Sequence, residues 1–281
     1  MGGDFCSILT LERISSLKEK KMSVKFVDHS WLELKEFINR NALILMPVGA
    51  IEEHGPHLPV STDMVIASRL AEAVANRIKD QVPVLITPDM WQAYNGNILH
   101  QWPGSLTISQ DTQKRLLYEI AESIIKMGFK KILFINSHGQ NLFTLEAVCR
   151  QIADDYGVYL PFVFEYKIAA DFMGEHRKSK IGGISHACEF ETSMMLHLTD
   201  LVNMSKAEKS LMTYSSKFKN NDGMQGTSRV FWSTWALEKA EMGVLGDPTT
   251  ATEETGAKAF EYLVGEISEF ALEYYHYGKP K

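Results

Sequence analysis

Apolar positions along the chain fall into two alternating periods. Within residues 31–40 they recur at Trp31, Leu32, Leu34, Phe37 and Ile38, the spacing of one helix face, and Asn41 follows as a C-terminal stop. Residues 42–46 then form an unbroken apolar run short enough for a buried strand. The pair of signals returns. Residues 64–79 are helical by Ile66, Leu70, Val74 and Ile78, and 82–87 are β-branched and bounded by Asp80 and Pro88. Residues 111–126 repeat the helical period through Leu116, Leu117, Ile120, Ile124 and Ile125, and 131–136 form the next apolar strand. Residues 142–156 are helical by Leu145, Val148, Cys149 and Ile152, and 161–166 are strand-like. Strands and helices that take turns predict an α/β fold with a mainly parallel sheet covered by helices on both faces. Further helices are expected at 189–198 and 252–274, with a loop over 217–227, where Asn220, Asn221, Asp222, Gly223 and Gly226 cluster.

The chain has 281 residues, enough for one large α/β unit. Residues 1–22, with Gly2, Gly3, Lys18, Lys20 and Lys21, are expected to be an extension ahead of a domain spanning 23–281. Charged residues make up 23% with a net of −6 and no long basic run, which argues against an extended nucleic-acid footprint and for a small substrate. Cys6, Cys149 and Cys188 are too few and too scattered for a disulfide framework or a four-thiolate zinc site. With no long apolar span and no signal pattern, the expectation is a cytoplasmic protein without membrane contact.

Three segments concentrate chemistry. Residues 49–63, Gly-Ala-Ile-Glu-Glu-His-Gly-Pro-His-Leu-Pro-Val-Ser-Thr-Asp, directly follow the first strand. In open α/β sheets ligands bind beyond the carboxyl ends of strands, so Glu52, Glu53, His54, His57 and Asp63 are expected at the functional edge. A solvated loop is the bland reading for any one of them. Two carboxylates and a histidine gathered beside a buried strand favour a cation that offsets their charge. Imidazole and carboxylate donors suit zinc, manganese or iron. Residues 136–141, Asn-Ser-His-Gly-Gln-Asn, follow the next clear strand and would bring His138 to the same edge. Residues 182–193, Gly-Gly-Ile-Ser-His-Ala-Cys-Glu-Phe-Glu-Thr-Ser, lead into a helix with His186, Glu189 and Glu191. His186 and Glu189, three apart, can share a helix face, although glutamates also favour a first helical turn through the dipole alone.

In this order the three segments, with Gly-Val-Leu-Gly-Asp-Pro at 243–248, resemble the creatininase (creatinine amidohydrolase) family. The resemblance implies a three-layer α/β/α sandwich, two divalent metal ions per subunit (Zn, Mn or Fe), hydrolysis of an amide or related C–N bond, and a homohexamer. Carried over, it makes Glu52, Asp63 and His138 ligands of one metal, with Asp63 bridging to a second that His54 also binds. Creatininase has a glutamate where this chain has Gln140. A neutral amide is the poorer ligand, and Glu189 is the candidate to complete the second site. The tryptophans that creatininase closes over its substrate have no counterpart in 178–185, which points away from creatinine. Tyr94, His100, Trp102 and Gln140 are candidates to line the pocket.

The mechanism expected on this basis is attack by a water activated by both cations, with His186 or Glu191 carrying the proton to the departing nitrogen. The leading substrate class is a small cyclic amide, lactam or formamide, not a peptide bond. A peptidase-like member that trims a modified peptide is the alternative, and a non-catalytic metal-binding scaffold is the third. Trp232 and Trp235 are offered as a subunit contact.

Overall fold

The computed structural model describes residues 23–211, 216–220, 222–225, 228–232 and 241–277; the expected N-terminal extension and Trp235 lie outside the described residues. Its centre is a parallel sheet of β1 (Leu43–Val48), β2 (Val84–Ile86), β3 (Lys131–Asn136) and β4 (Phe162–Phe164), in the order β2-β1-β3-β4. Parallel neighbours need crossover connections, and helices supply them. Helices α2 (Thr62–Ile78), α3 (Gln110–Met127) and α4 (Leu142–Tyr156) cross between successive strands, α1 (Trp31–Asn39) precedes β1, and α5 (Glu165–His176), α6 (Glu189–Leu198) and α7 (Glu253–His276) follow β4.

Alternation along each strand divides the interior into two cores. Leu43, Leu45, Leu133, Ile135 and Val163 face α2, α5, α6 and α7, through residues such as Leu70, Met173, Phe190 and Leu263. Ile44, Met46, Val48, Ile132 and Phe134 face α1, α3 and α4, through Phe37, Leu117 and Leu145. This is the three-layer α/β/α sandwich. Among the described residues no helix is long and apolar enough to cross a membrane.

Helix boundaries follow local chemistry. Ser30 and Glu33 form a capping box at the start of α1, and Asn41 takes a left-handed φ of 55° where the chain turns into β1. Helix α5 departs from the sequence pattern, which reads 161–166 as strand. The strand stops at Phe164, and Tyr166, Ala169 and Met173 supply a buried helical stripe.

Helices α6 and α7 touch through Gly256, where a Cβ atom would overlap the carbonyl oxygen of Ser193. Gly256→Ala must push the helices apart and is expected to cost about 1–3 kcal/mol. Thermal unfolding reads the effect, and a variant melting with the wild type would refute the close approach.

Candidate metal site

Strand register brings the carboxyl ends of three strands level, because Val48 pairs with Asn136 and Asn136 with Phe164. The 49–61 loop leaves β1 across Gly49, whose missing side chain lets the backbone lie against the first turn of α2: a Cβ there would sit 2.9 Å from the Met64 Cα. Asp63 therefore enters the site from the start of α2. The second segment is tied to the first by Asn141, whose Nδ2 donates to the Gly49 carbonyl (3.1 Å) and to Asn136 Oδ1 (2.9 Å). The third is held by paired main-chain bonds between His186 and Leu245, 2.8 and 2.9 Å. Sequence reading quoted Asn136 and Asn141 without this role.

What converges is a closed set of acids and imidazoles. Glu52, His54, Asp63, His138, His186 and Glu191 are all buried. His138 Nδ1 stands 2.9 Å from Glu52 Oε2 and 3.0 Å from Asp63 Oδ2. His54 Nε2 stands 3.0 Å from Asp63 Oδ1 and 3.8 Å from Glu191 Oε1. Asp63 thus belongs to two ligand groups, Glu52–Asp63–His138 and His54–Asp63–Glu191, each with donor atoms within 4.8 Å of one another.

The far side of each ring fixes its tautomer. His54 Nδ1 lies 3.0 Å from the Glu52 carbonyl and His138 Nε2 lies 3.2 Å from the Tyr94 carbonyl, so both nitrogens donate. In the neutral rings, His54 Nε2 and His138 Nδ1 then point lone pairs at carboxylate oxygens. Lone pair against anion is repulsive unless a positive charge lies between. Consistent with that, His54 Nε2, Asp63 Oδ2 and Glu52 Oε1 have no aligned hydrogen-bond partner among the described residues.

The carboxylate charges act on both rings. Burial opposes charging His54 and His138, but Asp63 for the first, and Glu52 with Asp63 for the second, hold both imidazoles well above their ordinary pKa. Burial would raise Asp63, yet His54 and His138 outweigh it and keep the carboxyl low. Burial likewise opposes Glu191, and His54 and His186 depress it. An imidazole and carboxylate set with a shared central aspartate, no thiolate and orphaned buried donors fits divalent cations.

Glu189 is not brought to this set. Its two oxygens accept the backbone N–H groups of Lys178 and Ser179, each at 2.8 Å. Glu191, read from sequence as a proton carrier, stands beside His54 instead. His186 lines the cavity with its ring 4.4 Å from that of His54 and its Nε2 donating to the Glu53 carbonyl at 2.8 Å. Gln140 lines the same cavity, of about 140 Å³, with Phe164, Tyr166 and Ser185. Tyr94 contributes its carbonyl; His100 is exposed, and neither it nor half-buried Trp102 lines the cavity. Burial and the neighbouring His54 lower His57 to about 4, and its Nε2 meets Thr192 Oγ1 at 2.9 Å. Buried Cys188 is pushed far above the thiol range, chiefly by burial, which leaves it no nucleophile.

Glu165 was missed. It follows β4 as Glu52 and His138 follow theirs, the signal that could have found it, and both carboxylate oxygens are buried without a partner among the described residues. Burial, then the charge of Asp63, drives its pKa well up. An acid raised on folding loses stability as pH climbs from the unfolded value through the folded one. Glu165→Gln removes that loss. In chelator it is expected to melt with the wild type at pH 4 and several degrees above it at pH 8; equal melting at both would reject the unpaired buried acid.

A model of the creatininase family, described as creatinine amidohydrolase, matches residues 27–271. The mycofactocin precursor peptide peptidase of Mycobacterium ulcerans (strain Agy99) is 28% identical over 233 residues, covering 79% of this chain and 82% of that protein. A crystal structure of creatinine amidohydrolase (creatininase) superposes with a TM-score of 0.74 at 21% identity, covering 92% of this chain and 99% of that one. A structure titled creatininase Mn gives 0.73 at 22% identity, with 90% and 98% covered.

Proposed function

Because the chain belongs to the creatininase family of hydrolases, we propose that it hydrolyses a C–N bond of a peptide-type substrate with two divalent cations held by Glu52, Asp63 and His138 on one side and by His54, Asp63 and Glu191 on the other. The observation that carries this reading is Asp63 standing 3.0 Å from both His54 and His138, each of which has a second carboxylate of its own. When bound, such cations supply Lewis acidity toward a carbonyl and lower the pKa of a water toward neutrality.

The remaining steps fall to the chain. Glu52 and Tyr94 carbonyls hold the imidazoles in the ligating tautomer, and burial excludes bulk water. His186 is the group assigned to protonate the departing nitrogen, since amide nitrogens leave poorly as anions. It lines the cavity, and although burial and His54 oppose its charge, Glu52, Glu53 and Glu191 raise its pKa. Manganese or zinc suits the donors, and manganese is the metal of the creatininase Mn structure that shares the fold.

The peptide class is supported by the relative named as a precursor peptide peptidase. A small cyclic amide is the second reading, favoured by the confined cavity. The intact ligand set weighs against a scaffold without turnover. Metal analysis of purified protein, coupled to a panel of peptides, lactams and formamides with and without chelator, tests the reading. Metal-dependent release of a peptide's terminal group supports it; bound metal with no turnover anywhere in the panel would remove it.

A further inference from the structure

Phe164 borders two spaces. Inward it lines the metal cavity of about 140 Å³, and outward it lines a groove of about 630 Å³. The smaller space holds little more than one terminal group, whereas the larger one has room for several residues. The groove runs along the outer edge of β4, between Phe143 of α4 and Ile168 and Phe270 of α5 and α7.

The backbone of β4 says what such a groove can bind. Among the described strands β4 pairs with β3 alone. Phe134 N–H donates to the Pro161 carbonyl, and main-chain groups alternate sides along a strand, so Pro161 and Val163 face β3. Phe162 then turns its N–H and C=O outward, and Phe164 its N–H. An unpaired strand edge with apolar walls is the arrangement that accepts an added strand, where main-chain hydrogen bonds give affinity and alternate side chains fill pockets. Phe143 is 56% exposed and Phe162 half-buried, which leaves apolar surface for those side chains.

We propose that this groove seats the chain of an extended peptide substrate as a strand added to β4, leading its terminal group past Phe164 into the metal cavity. The inference rests on the peptide-type reading above. It names the part of the protein that recognises the substrate beyond the bond being cut. A free amide or lactam has no chain to lay along β4, so selectivity for length follows.

Binding separates this claim from catalysis. A fluorescein-labelled Ser-Phe-Thr-Phe-Ser peptide, and the same peptide N-methylated at both phenylalanines, are titrated by fluorescence anisotropy into wild-type protein held in chelator and into Phe143→Ser. Saturable binding of the parent peptide is expected, weakened about tenfold by methylation, or roughly 1.4 kcal/mol, and by a similar factor in Phe143→Ser. Equal binding of the methylated peptide would overturn strand addition, and unchanged binding by Phe143→Ser would place the peptide elsewhere. If light scattering shows Phe143→Ser changing the oligomeric state while peptide binding is unaltered, the groove is a contact between copies and the proposal fails. Absent peptide binding with persistent turnover of small amides overturns the groove and leaves the hydrolase reading standing. Groove binding with no metal-dependent turnover of any substrate overturns the hydrolase reading and with it the peptide's role as substrate, while strand addition to β4 stands.

Discussion

Asp63→Asn is expected to abolish turnover and to deplete both cations at once. Among the described residues Asp63 bears the one carboxylate within 3.0 Å of both His54 and His138, so its loss reaches the ligand groups of both proposed cations, where loss of Glu191 reaches one. Asparagine keeps the size and one acceptor oxygen, which confines the change to charge and to the second donor. A fall in kcat/KM of roughly a thousandfold or more corresponds to about 4 kcal/mol of lost transition-state stabilisation. Elemental analysis of the purified variant and a rate with the best substrate of the panel are the two measurements. Wild-type metal content with a wild-type rate would show that Asp63 does not join the two groups.

The second large contrast lies between two glutamates two residues apart. Glu189→Gln is expected to destabilise the fold by about 2–3 kcal/mol while leaving metal content per folded molecule unchanged. Its carboxylate satisfies two N–H donors, that of part-buried Lys178 and that of buried Ser179, and an amide would set an N–H against one of them. Glu191→Gln is expected to do the reverse. It removes the second carboxylate beside His54, so metal and turnover fall together, with a smaller change in the melting temperature measured in chelator. The swapped outcome, metal loss in Glu189→Gln and none in Glu191→Gln, would restore the assignment drawn from sequence.

That pair also shows where sequence reading stops. Alternating periods placed the layers of the fold, and the acids and imidazoles after β1 and β3 announced the site. Which glutamate of α6 faces it depends on helix phase: two residues turn a helix by about 200°, and the phase is set by contacts no local pattern contains. These include the His186–Leu245 pairing and the docking of 178–179 onto Glu189. Glu165 escaped for another reason. The apolar run 162–166 hides the point where strand becomes helix, and a single acid inside it reads as an interruption. Tyr94 was expected to line the pocket from the family resemblance of its segment, yet its part at His138 is played by its carbonyl, a group every residue carries.

The carbonyl tethers on His54 and His138 have an evolutionary consequence. Because backbone, not side chain, steers the rings, position 94 can change in size and polarity without loosening the tether on His138. The residue type at 94 is thereby uncoupled from the geometry of the candidate ion site.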